Sequence, residues 1–221
     1  MANVTIPETE QRELTLAELT DLFGPMPAHR IRNTPSPGTA TVRDFLDVQE
    51  KEDRLYELID GVLVEKTMGY FESRLASVLI YLMESFLQDN NLGFVVGESA
   101  ATQLLPEQVR IPDVAFVSWD RLPERKVPRE PLPSVVPDLA VEVLSKSNTK
   151  QEMDRKLQDY FQSGVRLVWY LDPPTQTAQV YTSPEEYKSV DKNGTLEGGD
   201  VLPGFSLSMQ DWFARADRAG Q

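Results

Sequence analysis

Residues 137–173, PDLAVEVLSKSNTKQEMDRKLQDYFQSGVRLVWYLDP, read as a buried strand, a short polar loop, an amphipathic helix, a glycine stop and a second buried strand. In the first strand Leu139, Val141 and Val143 share one face, while Ala140, Glu142 and Leu144 share the other. Glu142 is therefore a carboxylate among small and apolar neighbours, and burying it unpaired would cost several kcal/mol or keep it protonated. It should meet a cation, a metal or hydrogen-bond donors. The helix, from about Lys150 to Gln162, turns Met153, Leu157, Tyr160 and Phe161 inward. Lys156 lies at the flank of that stripe, one turn from Glu152 and Tyr160, where its ammonium can reach back over the sheet. Gly164 ends the helix, and VRLVWYLD (165–172) is a near-continuous apolar run suited to a covered central strand.

Working outward, RIPDVAFVSWD (110–120) forms a strand behind a proline, with Asp113 at its start, where a side chain projects from a sheet end into a crevice. RLYELIDGVLVEK (54–66) makes two short strands about Asp60-Gly61, the dipeptide of a tight hairpin turn. Glu57 shares a face with Leu55 and Ile59, so it becomes a buried carboxylate needing a partner if both faces are covered. YFESRLASVLIYLMESFLQD (70–89) is a long helix with a broad apolar stripe, and GFVVGESAATQLLP (93–106) gives two strands or one bent at Gly97. Thr41 caps a short helix over residues 41–53, and residues 120–136 form a long loop. Downstream, residues 177–205 read as antiparallel strands with turns at Asn193-Gly194 and Gly198-Gly199, followed by a short helix over 208–216.

The expected fold class is α/β of the α+β type: a central mixed sheet flanked by helices, with an added antiparallel section. One domain over 41–213 accounts for it, preceded by an extended arm, 1–40, that is rich in proline and carries a short helix in LTLAELTDLF, and followed by a tail, 214–221.

A hydrophobic share of 40% against 26% charged residues suits an ordinary globular chain, and no window nears the ~18 apolar residues of a membrane span. The N-terminus, MANVTIPETEQRELT, lacks the basic start and apolar core of a signal peptide, so a cytoplasmic location is expected. The absence of cysteine excludes disulfides, thiolate catalysis and iron–sulfur clusters. A formal charge of −13 works against non-specific binding to nucleic acid, although a small cationic track or acid-bound divalent metals can still receive a polyanion. Neither G-x-x-x-x-G-K-[ST] nor G-x-G-x-x-G occurs. Gly97-Glu98-Ser99 lacks the second glycine of a nucleophile elbow, and the only histidine, His29, stands upstream in the arm. The tryptophans Trp119, Trp169 and Trp212 sit in or beside apolar elements and read as packing residues.

Two carboxylates at neighbouring strand ends plus a lysine form a recognisable chemical device. The acids hold a hard divalent cation, usually Mg²⁺, while the lysine orients water and neutralises developing charge. Simpler alternatives stand beside this: a turn-forming Asp113, a surface Lys156 that snorkels, and a Glu57 in a structural salt bridge.

YELIDG, RIPDVAFVS, EVLS, then K-x-x-x-Y-x-x-x-G-V and VWYLDP, in that order and spacing, resemble the Uma family of restriction endonucleases, a branch of the PD-(D/E)XK nuclease superfamily, over roughly residues 41–213. The resemblance implies a restriction-endonuclease-like core and DNA hydrolysis dependent on Mg²⁺ or Mn²⁺. It further implies Asp113 and Glu142 as metal ligands, Glu57 as an outlying catalytic acid, and action as a homodimer. The superfamily lysine, two residues after the acid, is replaced here by Leu144. Lys156 is expected to stand in for it as the catalytic lysine, with Lys146 ranked second. The alternative is a catalytically inactive nuclease fold that binds nucleic acid or protein; a third reading is a metal site for another phosphoester.

Overall fold

The structure, a computed structural model, describes residues 12–218; the first eleven residues of the expected arm and the last three of the expected tail lie outside the described residues. Along the chain run α1 (Leu16–Phe23), α2 (Val42–Lys51), β1 (Tyr56–Ile59), β2 (Val62–Glu65), α3 (Tyr70–Asp89), β3 (Gly93–Gly97), β4 (Thr102–Leu105), β5 (Gln108–Arg110) and β6 (Val114–Ser118). They are followed by β7 (Leu139–Val143), α4 (Lys150–Ser163), β8 (Leu167–Asp172), β9 (Thr177–Tyr181), β10 (Tyr187–Val190), β11 (Thr195–Glu197), β12 (Ser206–Ser208) and α5 (Met209–Ala216). This is the expected mixed α+β class.

The main sheet has six strands in the order β10-β9-β8-β7-β6-β3, and its one parallel pair, β7 with β8, is bridged by α4. A second, antiparallel sheet has the order β2-β1-β5-β4, and β11 pairs with β12 apart from both. The central mixed sheet is thus as expected, while β9 and β10 of the downstream antiparallel strands extend it rather than standing apart. Residues 108–110 form a strand of their own, because Glu107 turns the chain with φ of 54° and Pro112 separates Arg110 from β6. The segment Ile111–Asp113 is the bridge from one sheet to the other.

Period-two alternation decides the packing. Leu139, Val141 and Val143 of β7 join Val114, Phe116, Leu167 and Trp169 in a core covered by α3 and α5. On the opposite face Ala140, Val168 and Tyr170 pack against Met153, Leu157 and Tyr160 of α4. Trp169 and Trp212 are wholly buried, as packing residues should be. Thr149 caps α4, accepting from the Glu152 N–H while Glu152 reaches back to the Thr149 N–H, and Gly164 stops the helix in the left-handed region. The hairpin turn places Asp60 and Gly61 at positive φ. Leu19 and Phe23 of α1 pack on Ile59, Val62 and Val64 of the hairpin. Among the described residues, no helix is long and apolar enough to cross a membrane.

Candidate active site

Both sheets contribute to one buried cluster under α4. Glu57 comes from β1, Lys66 from the residue after β2, Asp113 from the bridge just before β6, Glu142 from β7, and Lys156 and Tyr160 from α4. All four residues singled out from sequence, Glu57, Asp113, Glu142 and Lys156, are buried and brought together.

The contacts alternate in charge. The Lys156 Nζ lies 2.8 Å from Glu142 Oε1 and 3.0 Å from Glu57 Oε1. Lys66 Nζ lies 2.6 Å from Asp113 Oδ1 and 3.9 Å from Glu142 Oε2, and it also donates to the Ile111 carbonyl. Arg110 donates to Glu57 Oε2 at 2.9 Å and through two nitrogens to Asp159. The Ile111 N–H donates to Glu57 Oε1 at 2.9 Å, and the Val143 N–H to Asp113 Oδ2 at 2.6 Å. Tyr160, one turn beyond Lys156, donates its hydroxyl to Glu142 Oε1.

Electrostatics separate the two glutamates that share Lys156. Burial pushes Glu142 above the usual carboxylate range, with the charges of Asp113 and Glu57 adding to it, and Lys156 and Lys66 only partly offset the effect. Burial acts on Glu57 too, but Lys156, Arg110 and Lys66 together outweigh it and hold Glu57 below the usual range. Burial opposes the charge of Lys66, yet Asp113, Glu142 and Glu57 raise its pKa above the ordinary lysine value.

Which oxygens remain for a cation follows from these contacts. Asp113 Oδ2 and Glu142 Oε1 are engaged by the protein, so Asp113 Oδ1, Glu142 Oε2 and the Ile111 carbonyl remain, and all three face the Lys66 ammonium. This is a hard oxygen set already occupied by a positive charge, and it fits a divalent ion that retains waters. Among the described residues, no three His, Cys, Asp or Glu side chains group to hold a metal by themselves. A cation here would use two carboxylates, the backbone carbonyl and water.

Two clefts open near the cluster, and Lys66 lines the smaller of them. One, of about 620 Å³, opens beyond the C-terminal ends of β7 and β8 and is lined by His29, Thr67, Leu144, Ser145, Lys146 and Asp172, among others. The other, of about 350 Å³, is lined by Lys66 with Leu55, Tyr70, Ser73 and Glu98, and meets the first at Met68 and Gly69.

A family model described as "Uma2: Putative restriction endonuclease" matches residues 42–210. The chain belongs to the Uma2 family. The match spans every member of the cluster from Glu57 to Tyr160, and the family description supports a nuclease function. A solved structure from Anabaena variabilis ATCC 29413, described as a putative nuclease belonging to DUF820, is similar with a TM-score of 0.67 and 21% identity, over 78% of this chain and 98% of that one. At that identity the likeness establishes the fold, which is restriction-endonuclease-like. No curated protein matches the chain.

Within the Uma2 match, Leu144, two residues after Glu142, lines the larger cleft. Lys156 brings its ammonium to Glu142 from the helix, whereas Lys146 is exposed in the loop and forms no ion pair among the described residues. Lys66 was missed in the sequence, although the signal was present. The two-residue turn pairs Glu57 with Val64, so Lys66, two residues further, falls on the face of Glu57. Arg110 carries no such signal, because it ends the separate strand β5 and its partners Glu57 and Asp159 come from distant segments.

Proposed function

We propose that the protein is a divalent-metal-dependent endonuclease that hydrolyses DNA phosphodiester bonds, with Asp113 and Glu142 as the metal ligands. The observation that carries this reading is the convergence of Asp113 Oδ1, Glu142 Oε2 and the Ile111 carbonyl on one cationic position, whose Lys66 also lines an open cleft. Bound there, Mg²⁺ or Mn²⁺ would supply Lewis acidity to a phosphoryl oxygen and to the attacking water. The water oxygen bonds to phosphorus as the bond to the leaving sugar oxygen breaks; one water proton passes to solvent and the leaving oxygen takes one up. Lys156 uses two of its three donors on Glu57 and Glu142, which fixes its charge beside the metal ligands and leaves the third to orient water. Glu57, tied to Arg110 and the Ile111 N–H, holds Lys156 in place and so acts as a positioning acid. Tyr160 fixes the rotamer of Glu142. Since a duplex has two strands to cut, the working form is a homodimer, which light scattering would check.

Plasmid cleavage tests the reading: conversion of supercoiled DNA should need Mg²⁺ or Mn²⁺, disappear in Asp113→Ala and Glu142→Ala, and fall strongly in Lys156→Ala. The second reading, an inactive fold that binds nucleic acid or protein, draws support from the neutralisation of all three acids by internal lysines and an arginine. It predicts no cleavage with any metal and no binding of Mn²⁺ that depends on these carboxylates.

A further inference from the structure

We infer that Lys66 is an exchangeable internal cation: its ammonium holds the metal position in the metal-free protein, leaves when a divalent ion arrives, and is delivered into the adjoining cleft to meet a substrate phosphate. The inference rests on the metal-dependent reading above and adds a residue to it.

Three observations carry it. First, every acceptor of the two acids not engaged elsewhere faces Lys66. Val143 takes one oxygen of Asp113, and Lys156 with Tyr160 takes one oxygen of Glu142. What remains lies 2.6 Å and 3.9 Å from the Lys66 Nζ. A magnesium ion bonds its oxygen ligands at about 2.0–2.1 Å, so it and an ammonium 2.6 Å from the same Asp113 oxygen would be two cations in one place. One must leave.

Second, the residue is built to leave. An ammonium is a point charge on a flexible four-carbon stem and matches no fixed planar geometry. The neighbouring Arg110 is held at three donor atoms in a planar fork, with donors set on both Glu57 and Asp159. A cation meant only to neutralise Asp113 permanently would be better placed as such a fork.

Third, there is somewhere to go. Only 8% of the Lys66 side chain is exposed, yet it forms part of the wall of the 350 Å³ cleft that contains Glu98, Ser73 and the exposed Tyr70. Rotation about its stem moves the ammonium from the acids into that cleft without moving the strand. Once the metal is seated, the displaced charge sits beside it and favours an anion there, so metal and phosphate select the same state. On a chain with a net charge of −13 this local cation gives a polyanion a specific point of attachment.

Two measurements without DNA cleavage test this. In calorimetry, Lys66→Met should bind Mn²⁺ about tenfold or more tightly than wild type, because no internal cation has to be displaced; Asp113→Asn and Glu142→Gln define the carboxylate-dependent binding. In wild type, reductive methylation followed by peptide mass analysis should find Lys66 protected without metal and labelled with saturating Mn²⁺, while the exposed Lys150 labels equally in both. If Lys66→Met fails to fold, the wild-type labelling decides. Carboxylate-dependent Mn²⁺ binding with no gain in Lys66→Met and no change in Lys66 labelling overturns the inference and leaves the metal-dependent reading standing. No such binding in either protein overturns both.

Discussion

Arg30 and Lys66 are both cations withdrawn from solvent opposite carboxylates, and both lie at the end of β2, yet they are held in different ways. Arg30 makes a fork with Glu152, at 2.7 Å and 3.1 Å to its two oxygens, and donates to the Glu65 and Ser147 carbonyls as well. It thereby ties the proline-rich segment to the capping residue of α4 and to the loop after β7. Lys66 makes one close contact to a carboxylate, a longer one to a second, and one to a backbone carbonyl. The fork satisfies both oxygens of its acid and leaves nothing for a ligand, whereas the lysine leaves its acids available to a stronger cation. On the proposed reading, the kind of cation and the oxygens left over separate a structural buried charge from a chemical one.

The largest effect expected from breaking this contrast is on the lysine side. Glu142→Gln removes one of the two remaining acidic oxygens, so metal-dependent cleavage should fall to the no-enzyme background in a plasmid assay. Retained cleavage would remove Glu142 from the metal site. On the arginine side, Arg30→Met leaves Glu152 as an uncompensated buried charge and should destabilise the protein by about 3–5 kcal/mol in urea unfolding. Mn²⁺ affinity of the folded fraction should stay within about twofold, well short of the tenfold that marks real coupling. A stable Arg30→Met with altered metal affinity would mean that the fork is part of the site.

Between these extremes lies Lys156, an ammonium shared by two carboxylates. Lys156→Met should lower cleavage on the order of 100-fold while carboxylate-dependent metal binding persists. Loss of binding equal to loss of cleavage would reassign Lys156 to the metal site itself. The smallest effect concerns Glu57. Its folded pKa is depressed, so its ionised form contributes stability that is complete above the ordinary glutamate value and is lost as pH falls towards its own. The stability difference between wild type and Glu57→Gln should shrink by about 1 kcal/mol per pH unit below roughly pH 4. A difference that does not vary with pH would show that Glu57 contributes through shape alone.

Much of this was legible in the sequence where periodicity and chemistry conflicted. Glu142 is out of place in the apolar alternation of β7, and the long helix, the Asp60-Gly61 hairpin and the capped helix α4 carry short-range signals that tertiary contacts did not override. Lys156 was legible as a position; its burial was not, because a lysine on the flank of an amphipathic helix reaches water unless a second sheet closes over it. Here that sheet supplies Glu57. The face of Lys66 was legible from the hairpin register, but its partners, like those of Arg110, were not. Each closes a short strand of the second sheet, and their acids come from segments far away in the chain, so only the folded bridge Ile111–Asp113 brings them into contact. Arg30 lay in a stretch rich in proline, where sequence pattern gives no partner for it.

A crystal soaked in Mn²⁺ and measured for anomalous scattering tests the assignment of the metal position most directly. The expected result is a peak bonded to Asp113 Oδ1, Glu142 Oε2 and the Ile111 carbonyl, with the Lys66 ammonium moved into the neighbouring cleft. No peak at saturating Mn²⁺, with Lys66 still seated against Asp113, would contradict it.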